Sequence, residues 1–207
     1  MLSPSHWIVI YETRTLDKAD DFNDLKETYG SLLKAVDWKD LPTRSSIQVI
    51  GPEAHGKSIL VKFISQDFTR KSPIIVIDNF LDSFGNSWPT SYGLFISFLH
   101  QPLSKRPSLF RSARCLVAKN LCREHWSEEF LRTLLAAILR DPSMLDLLVV
   151  IYDFEDWPVE IQSWFKSLGS FLESCGPIYA FLASSRRLIK GFTPTEPLVL
   201  NLEQNYI

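Results

Sequence analysis

Two rhythms of apolar residues alternate along this chain. Short, largely apolar runs lie at 47–50, 73–77, 147–152, 178–183 and 198–202. Each is strand-sized and apolar on both sides of the pleat, as in parallel strands covered by helices on both faces. Between them apolar residues recur three and four apart, which predicts helices over 57–67, 88–104 and 108–122, from Ser127 to Leu139, and onward from Pro158. Ser127 suits a helix cap, followed by Glu128 and Glu129 in the first turn, where acids complement the helix dipole. Pro158 suits a first helical turn. The inner side of the helix that follows carries Ile161, Trp164, Phe165, Leu168, Phe171 and Leu172. This alternation predicts a three-layer α/β sandwich with a mostly parallel sheet.

Upstream, Phe22, Leu25, Tyr29, Leu32, Leu33 and Val36 form one helical face, which Pro42 and the polar stretch 43–46 break. The chain therefore reads as a helical N-terminal segment, 1–45, and an α/β core, 46–207.

Composition narrows the partners. With 207 residues, 45 % hydrophobic and 22 % charged, the chain is ordinary globular protein, and its net charge of −2 offers no bulk attraction to nucleic acid or an acidic membrane. No apolar run reaches membrane-spanning length. The segment Trp7–Tyr11 is too short and wrongly flanked for a signal peptide. The three cysteines (Cys115, Cys122 and Cys175) show no C-x-x-C spacing and read as reduced thiols of a cytoplasmic protein. Cys115 and Cys122, seven apart on one predicted helix, read as core packing. His6, His100 and His125 have no metal-binding spacing.

The chemistry begins at Gly51-Pro52-Glu53-Ala54-His55-Gly56-Lys57-Ser58, a G-x-x-x-x-G-K-S loop between a predicted strand and a predicted helix. In such a loop backbone N–H groups wrap phosphates, the lysine reaches the outer phosphates and the serine hydroxyl binds Mg²⁺. His55 reads as a variable loop position. The site also needs an acid at the end of a neighbouring buried strand, and Asp153 follows the most apolar run. Glu155 or Asp156 is placed to polarise an attacking water, with capping of the next helix as the alternative for Asp156. If the strand stayed extended past its end, Asp153 and Glu155 would share a side. The run 178–183 leads into Ser184-Ser185-Arg186-Arg187, where an arginine can sense a terminal phosphate, or simply be solvated.

The order of these parts, with Ser91–Gln101, Arg106–Phe110 and Trp126 between the loop and the Asp153 strand, resembles the NACHT-type signalling NTPases of filamentous fungi, also described as nephrocystin-type N-terminal domains, within the STAND class of P-loop ATPases. The resemblance covers roughly residues 38–207. It implies a switch that holds ATP or ADP with Mg²⁺ and self-associates on activation. Lys57 and Ser58 would bind phosphate and Mg²⁺, Asp153 would bind Mg²⁺ and Arg186 would be the sensor. Departures are Glu53 and Ala54 in a loop usually richer in glycine, Phe154 where a small residue is usual, and Trp157 where a glutamate is usual. They lead to an expectation of nucleotide binding with weak or absent hydrolysis. The stretch 200–207 resembles the passage into the rest of the family's core, so the core is expected to be incomplete at its C-terminus, whether by truncation, as a fragment or as a remnant. Two alternatives remain open: a nucleotide or small-molecule kinase of the P-loop class, with Arg106, Arg111 and Arg114 as lid arginines, and a degenerate, non-catalytic interaction module.

Overall fold

The computed structural model describes residues 8–9, 45–53, 56–79, 90–120, 126–191 and 197–202. The predicted helix over 20–36 lies outside them, as do Ala54, His55, His6, Cys122 and His125.

A parallel sheet organises the chain. Its strands are β1 (Ile8–Val9), β2 (Ser45–Ile50), β3 (Ile74–Asn79), β4 (Asp146–Ile151), β5 (Tyr179–Ser185) and β6 (Leu198–Asn201), in the order β1-β6-β2-β5-β4-β3. Every pairing is parallel, including the two-residue pairing of β1 with β6. The strands read from the apolar runs are all present, shifted by one or two residues. Sequence reading attached no strand to Ile8–Val9, since a pairing this short leaves no periodic trace. The connecting helices are α1 (Lys57–Lys71), α2 (Ser91–Lys105), α3 (Phe110–Asn120), α4 (Glu128–Leu139) and α5 (Val159–Cys175).

Strand residues alternate between two cores because successive side chains point to opposite faces. Ile47, Val49, Ile74, Val76, Leu148, Val150 and Leu182 pack against Leu60, Val61, Ile64 and Phe68 of α1. Ile75, Ile77, Leu147, Val149, Ile151 and Phe181 pack against α2, α4 and α5 through residues such as Phe98, Leu135 and Phe165. Among the described helices, α1 is one outer layer and the others are the second. Ser127 caps α4, accepting a hydrogen bond from the Phe130 N–H at 3.2 Å. Pro158 stands at the N-cap position of α5, one residue earlier than a first-turn proline. Cys115 is exposed on α3, which corrects its reading as a core residue, whereas Cys175 is buried. Helix α3 buries only Ala113, so most of its surface, Arg111 and Arg114 included, faces water.

Edge strand β3 is covered from α2. The side-chain amide of Gln101 accepts from the Asp78 N–H and donates to the Asp78 carbonyl, both at 2.9 Å, as a neighbouring strand would. Lys105 Nζ donates to the Val76 carbonyl. Burial pushes the Asp78 carboxyl up, while Lys105 and Lys62 draw it back down. Burial likewise pushes Lys105 down, against the pull of Asp78.

Candidate functional site

The strand order brings the three chemical segments to one edge of the sheet. Register sets Ile50 opposite Ser185, and Ile151 opposite Ala183, so β2, β5 and β4 end side by side. The chain leaves β2 toward the α1 face. It leaves β5 toward the other face, where Ile189 joins the core. A crevice opens where neighbouring strands send their connections to opposite sides.

The loop after β2 is shaped by two glycines. Gly51 lies against Leu202, where a Cβ would come within 3.0 Å of the Leu202 Cβ and 3.2 Å of its carbonyl oxygen. Gly56 stands at the N-cap of α1 with φ 73° and ψ 11°, the left-handed region that glycine enters without a steric cost. Helix α1 begins with no side-chain cap and no acid in its first turn, unlike α4 with Ser127, Glu128 and Glu129. Its N-terminal N–H groups and positive dipole end therefore suit an anion. Lys57 is buried, and its Nζ donates to the Pro52 carbonyl at 2.6 Å, within the loop.

Asp153 reaches this loop from β4. Its backbone, at φ 47° and ψ 56°, is the one left-handed non-glycine among the described residues. Aspartate tolerates that region better than most residues. The turn sends its carboxylate toward α1, where Ser58 Oγ donates to Asp153 Oδ2 at 3.0 Å. From β5 the fully buried Ser184 fixes the same residue. The Asp153 N–H donates to Ser184 Oγ at 2.8 Å, and that hydroxyl lies 3.4 Å from Asp153 Oδ1. A serine hydroxyl beside a carboxylate is a hard-oxygen pair of the kind that Mg²⁺ takes together with phosphates and waters. No group of three or more histidine, cysteine or acidic side chains suited to a metal occurs among the described residues. The residues thus fit a cation shared with a phosphate ligand better than an all-protein metal cage.

The extended geometry expected past Asp153 does not hold. Residues Phe154–Asp156 form a 3₁₀ turn, so Glu155 does not share a strand face with Asp153. Glu155 Oε1 accepts instead from the Arg186 N–H at 2.7 Å and the Arg187 N–H at 3.0 Å. Asp156 does not cap α5; its Oδ1 pairs with Arg186 Nη2 at 2.7 Å. Phe154 and Trp157 turn away from the crevice into the core. The Trp157 ring meets Phe165 edge-on at 5.2 Å, and its Nε1–H donates to the Tyr152 carbonyl at 2.7 Å. The position where the resemblance expected a glutamate is here filled by a core side chain.

The result is a crevice of about 200 Å³. Gly56, Lys57, Ser58 and Ile59 line one wall, and Asp153, Glu155, Asp156 and Arg186 the other, with Glu53 at the loop. Arg187 Nη and Nε groups make no part of that lining; the residue contributes its backbone N–H to Glu155. Arg111 and Arg114 on α3, and Arg106 at the end of α2, do not line it either. His100 is exposed, with Nε2 3.2 Å from Ser104 Oγ.

Sequence reading passed over two supporting residues. Ser184 was visible only as the first polar residue after an apolar run. Gln48 interrupts the apolar run of β2, and its buried amide exchanges two hydrogen bonds with the Ile189 backbone, at 2.7 and 2.8 Å. A lone amide inside a buried strand is a signal that it serves a distant backbone segment, because a buried polar group needs a partner.

No protein-family model matches the chain, and no curated protein matches it. Among solved structures, the crystal structure of Cdc6p from Pyrobaculum aerophilum is similar to it at a TM-score of 0.42 and 16 % identity, over 89 % of this chain and 42 % of that one. The chain spans less than half the length of that structure, and so distant a likeness adds nothing to the topology just described. No described helix is long and apolar enough to cross a membrane. With its parallel sheet between helical layers, and a glycine-lysine-serine loop opening helix α1, the chain has an α/β fold of the P-loop NTPase type.

Proposed function

We propose that this chain is a nucleotide-binding core that holds ATP or ADP with Mg²⁺ at residues 51–58 and acts as a switch of the NACHT and STAND type, with weak or absent hydrolysis. The observation that carries the reading is the 3.0 Å contact between Ser58 Oγ and Asp153 Oδ2, which joins residues 95 apart in sequence at the mouth of the loop. In this reading the first-turn N–H groups of α1 and the Lys57 ammonium receive the phosphates, with Lys57 exchanging its Pro52 carbonyl for phosphate oxygen. Mg²⁺ would neutralise phosphate charge from between Ser58 and Asp153. Arg186 stands on the far wall, where it can approach a terminal phosphate.

The case for slow hydrolysis rests on Glu155 and Asp156. In-line attack needs an acceptor for the water's proton. Glu155 Oε1 already accepts two backbone N–H groups, and Asp156 is paired with Arg186. Self-association through the core, a cytoplasmic setting and a role in signalling belong to the same reading.

The test is thermal unfolding of wild type and Lys57→Ala with Mg²⁺ and ATP or ADP, joined to steady-state phosphate release. Ligand at a hundredfold excess over its dissociation constant should add about 2.7 kcal/mol of stability to wild type, and far less to Lys57→Ala. Equal shifts in both proteins, or none in wild type at millimolar nucleotide, would refute binding at this loop. Turnover of about 1 s⁻¹ or more, within the ordinary enzyme range, would refute the slow switch. Its loss in Glu155→Gln would then make Glu155 the base.

A further inference from the structure

We infer that Glu53, a residue of the phosphate loop itself, is an internal competitor for the guanidinium that Arg186 would otherwise offer a ligand's phosphate. This inference rests on the nucleotide reading above. Arg186 Nη2 lies between two carboxylates from different segments, 2.7 Å from Asp156 Oδ1 and 4.0 Å from Glu53 Oε2. The crevice as a whole has an acid surplus: Lys57 and Arg186 face Glu53, Asp153, Glu155 and Asp156.

Three of those acids are held at close range. Asp153 takes the Ser58 hydroxyl, Glu155 takes two backbone N–H groups, and Asp156 holds Arg186 at close range. Glu53 differs in position and in its grip on Arg186. Its side chain is 83 % exposed, and its contact with Arg186 is at the outer limit of an ion pair. A pair so long and so wet is weak and exchangeable. A phosphate group carries more charge than a carboxylate and makes shorter, charge-assisted hydrogen bonds to a guanidinium. A ligand's outermost phosphate therefore displaces Glu53 from Arg186, while Asp156 stays as the positioning partner. The loop thus carries its own antagonist, which lowers affinity most for a ligand whose outermost phosphate reaches Arg186.

The experiment measures dissociation constants of Mg-ATP and Mg-ADP by calorimetry for wild type, Glu53→Gln, Arg186→Ala and the double variant. Glu53→Gln should tighten Mg-ATP about threefold to fivefold, the upper end of the scale of one exposed ion pair. The gain should be smaller for Mg-ADP and should fade with added salt. In the Arg186→Ala background it should shrink to about twofold or less, because paired residues are non-additive. Unchanged or weaker binding by Glu53→Gln would overturn the inference and leave the nucleotide site standing. A gain undiminished without Arg186 would overturn it too, since Glu53 would then act by general repulsion. Absence of nucleotide binding in both wild type and Glu53→Gln would instead remove the nucleotide reading, and this inference with it. Glu53 lies on the surface, so an unchanged unfolding temperature of the ligand-free variant is the control for its fold.

Discussion

Two clusters of charged side chains stand at the C-terminal ends of strands in this one sheet, and they are built differently. At the β3 edge, Asp78, Gln101 and Lys105 serve the backbone: Gln101 completes the hydrogen bonds of Asp78, and Lys105 donates to the Val76 carbonyl. Burial there acts on both charged groups, pushing the Asp78 carboxyl up and the Lys105 ammonium down. At the crevice, Ser58, Asp153, Asp156 and Arg186 serve one another, side chain to side chain, from three segments. The contrast separates structure from chemistry. A group bonded to a strand's backbone cannot leave without exposing the edge, whereas polar side chains bonded to each other across open space can exchange partners for a ligand. Glu155 stands between the two types, since it lines the crevice yet holds the backbone of Arg186 and Arg187.

The contrast can be tested hardest at Trp157, the residue that follows the turn begun at Asp153. Its ring and its Nε1–H both serve the interior, so Trp157→Ala should cost about 3–5 kcal/mol in urea unfolding. A loss under about 1 kcal/mol would show that Trp157 is not an integral part of the core. Trp157→Glu should be at least as damaging, since it buries a charge rather than supplying a base.

Asp153→Asn should do the reverse. Ligand-free stability should stay within about 0.5 kcal/mol of wild type. The Mg²⁺-dependent part of nucleotide stabilisation should fall away, a loss of up to about 2.7 kcal/mol at hundredfold ligand excess. Thermal shifts with Mg²⁺ and with a chelator read this directly. A large loss of ligand-free stability would place Asp153 with the structural group.

Gln101→Ala should lower ligand-free stability by about 1–2 kcal/mol, the worth of the edge hydrogen bonds it makes, and leave the nucleotide shift unchanged. A changed nucleotide shift would tie the two clusters together and break the contrast.

The smallest effect belongs to a surface turn far from either cluster. Hydrogen bonds from the Ser112 and Ser143 hydroxyls and the Ser143 N–H hold the Asp141 carboxyl down to about 2, from an ordinary 3.8. Because the folded value lies below the unfolded one, this contribution to stability is present above pH 3.8 and is lost as pH falls toward 2. Ser112→Ala should raise the Asp141 titration midpoint, as followed by carboxyl chemical shifts, with little change in stability at neutral pH. An unmoved midpoint would show that the Ser112 bond does not set it.

Much of the site was legible because its chemistry is carried by local order. Gly56, Lys57 and Ser58 follow one another at the start of α1, so their spacing announces the loop. Asp153 and Arg186 follow buried strands, and an apolar run that ends in a polar residue announces a strand end. The fold class was legible for a related reason, since strands covered on both faces leave largely apolar runs.

What lies between those segments was decided by contact. The left-handed turn at Asp153 redirects the three residues after it, so Glu155 goes to a backbone and Phe154 and Trp157 go to the core. No spacing rule conveys that, because one dihedral pair changes the direction of every following side chain. Register chose Ser184 as the partner of Asp153, and Gln48 as the partner of Ile189, across 31 and 141 residues. The sequence by itself determined which elements form and which residues end at the sheet's edge. Only the tertiary structure decided which of those residues satisfy one another, because a polar group's role depends on the partner that burial and register bring to it.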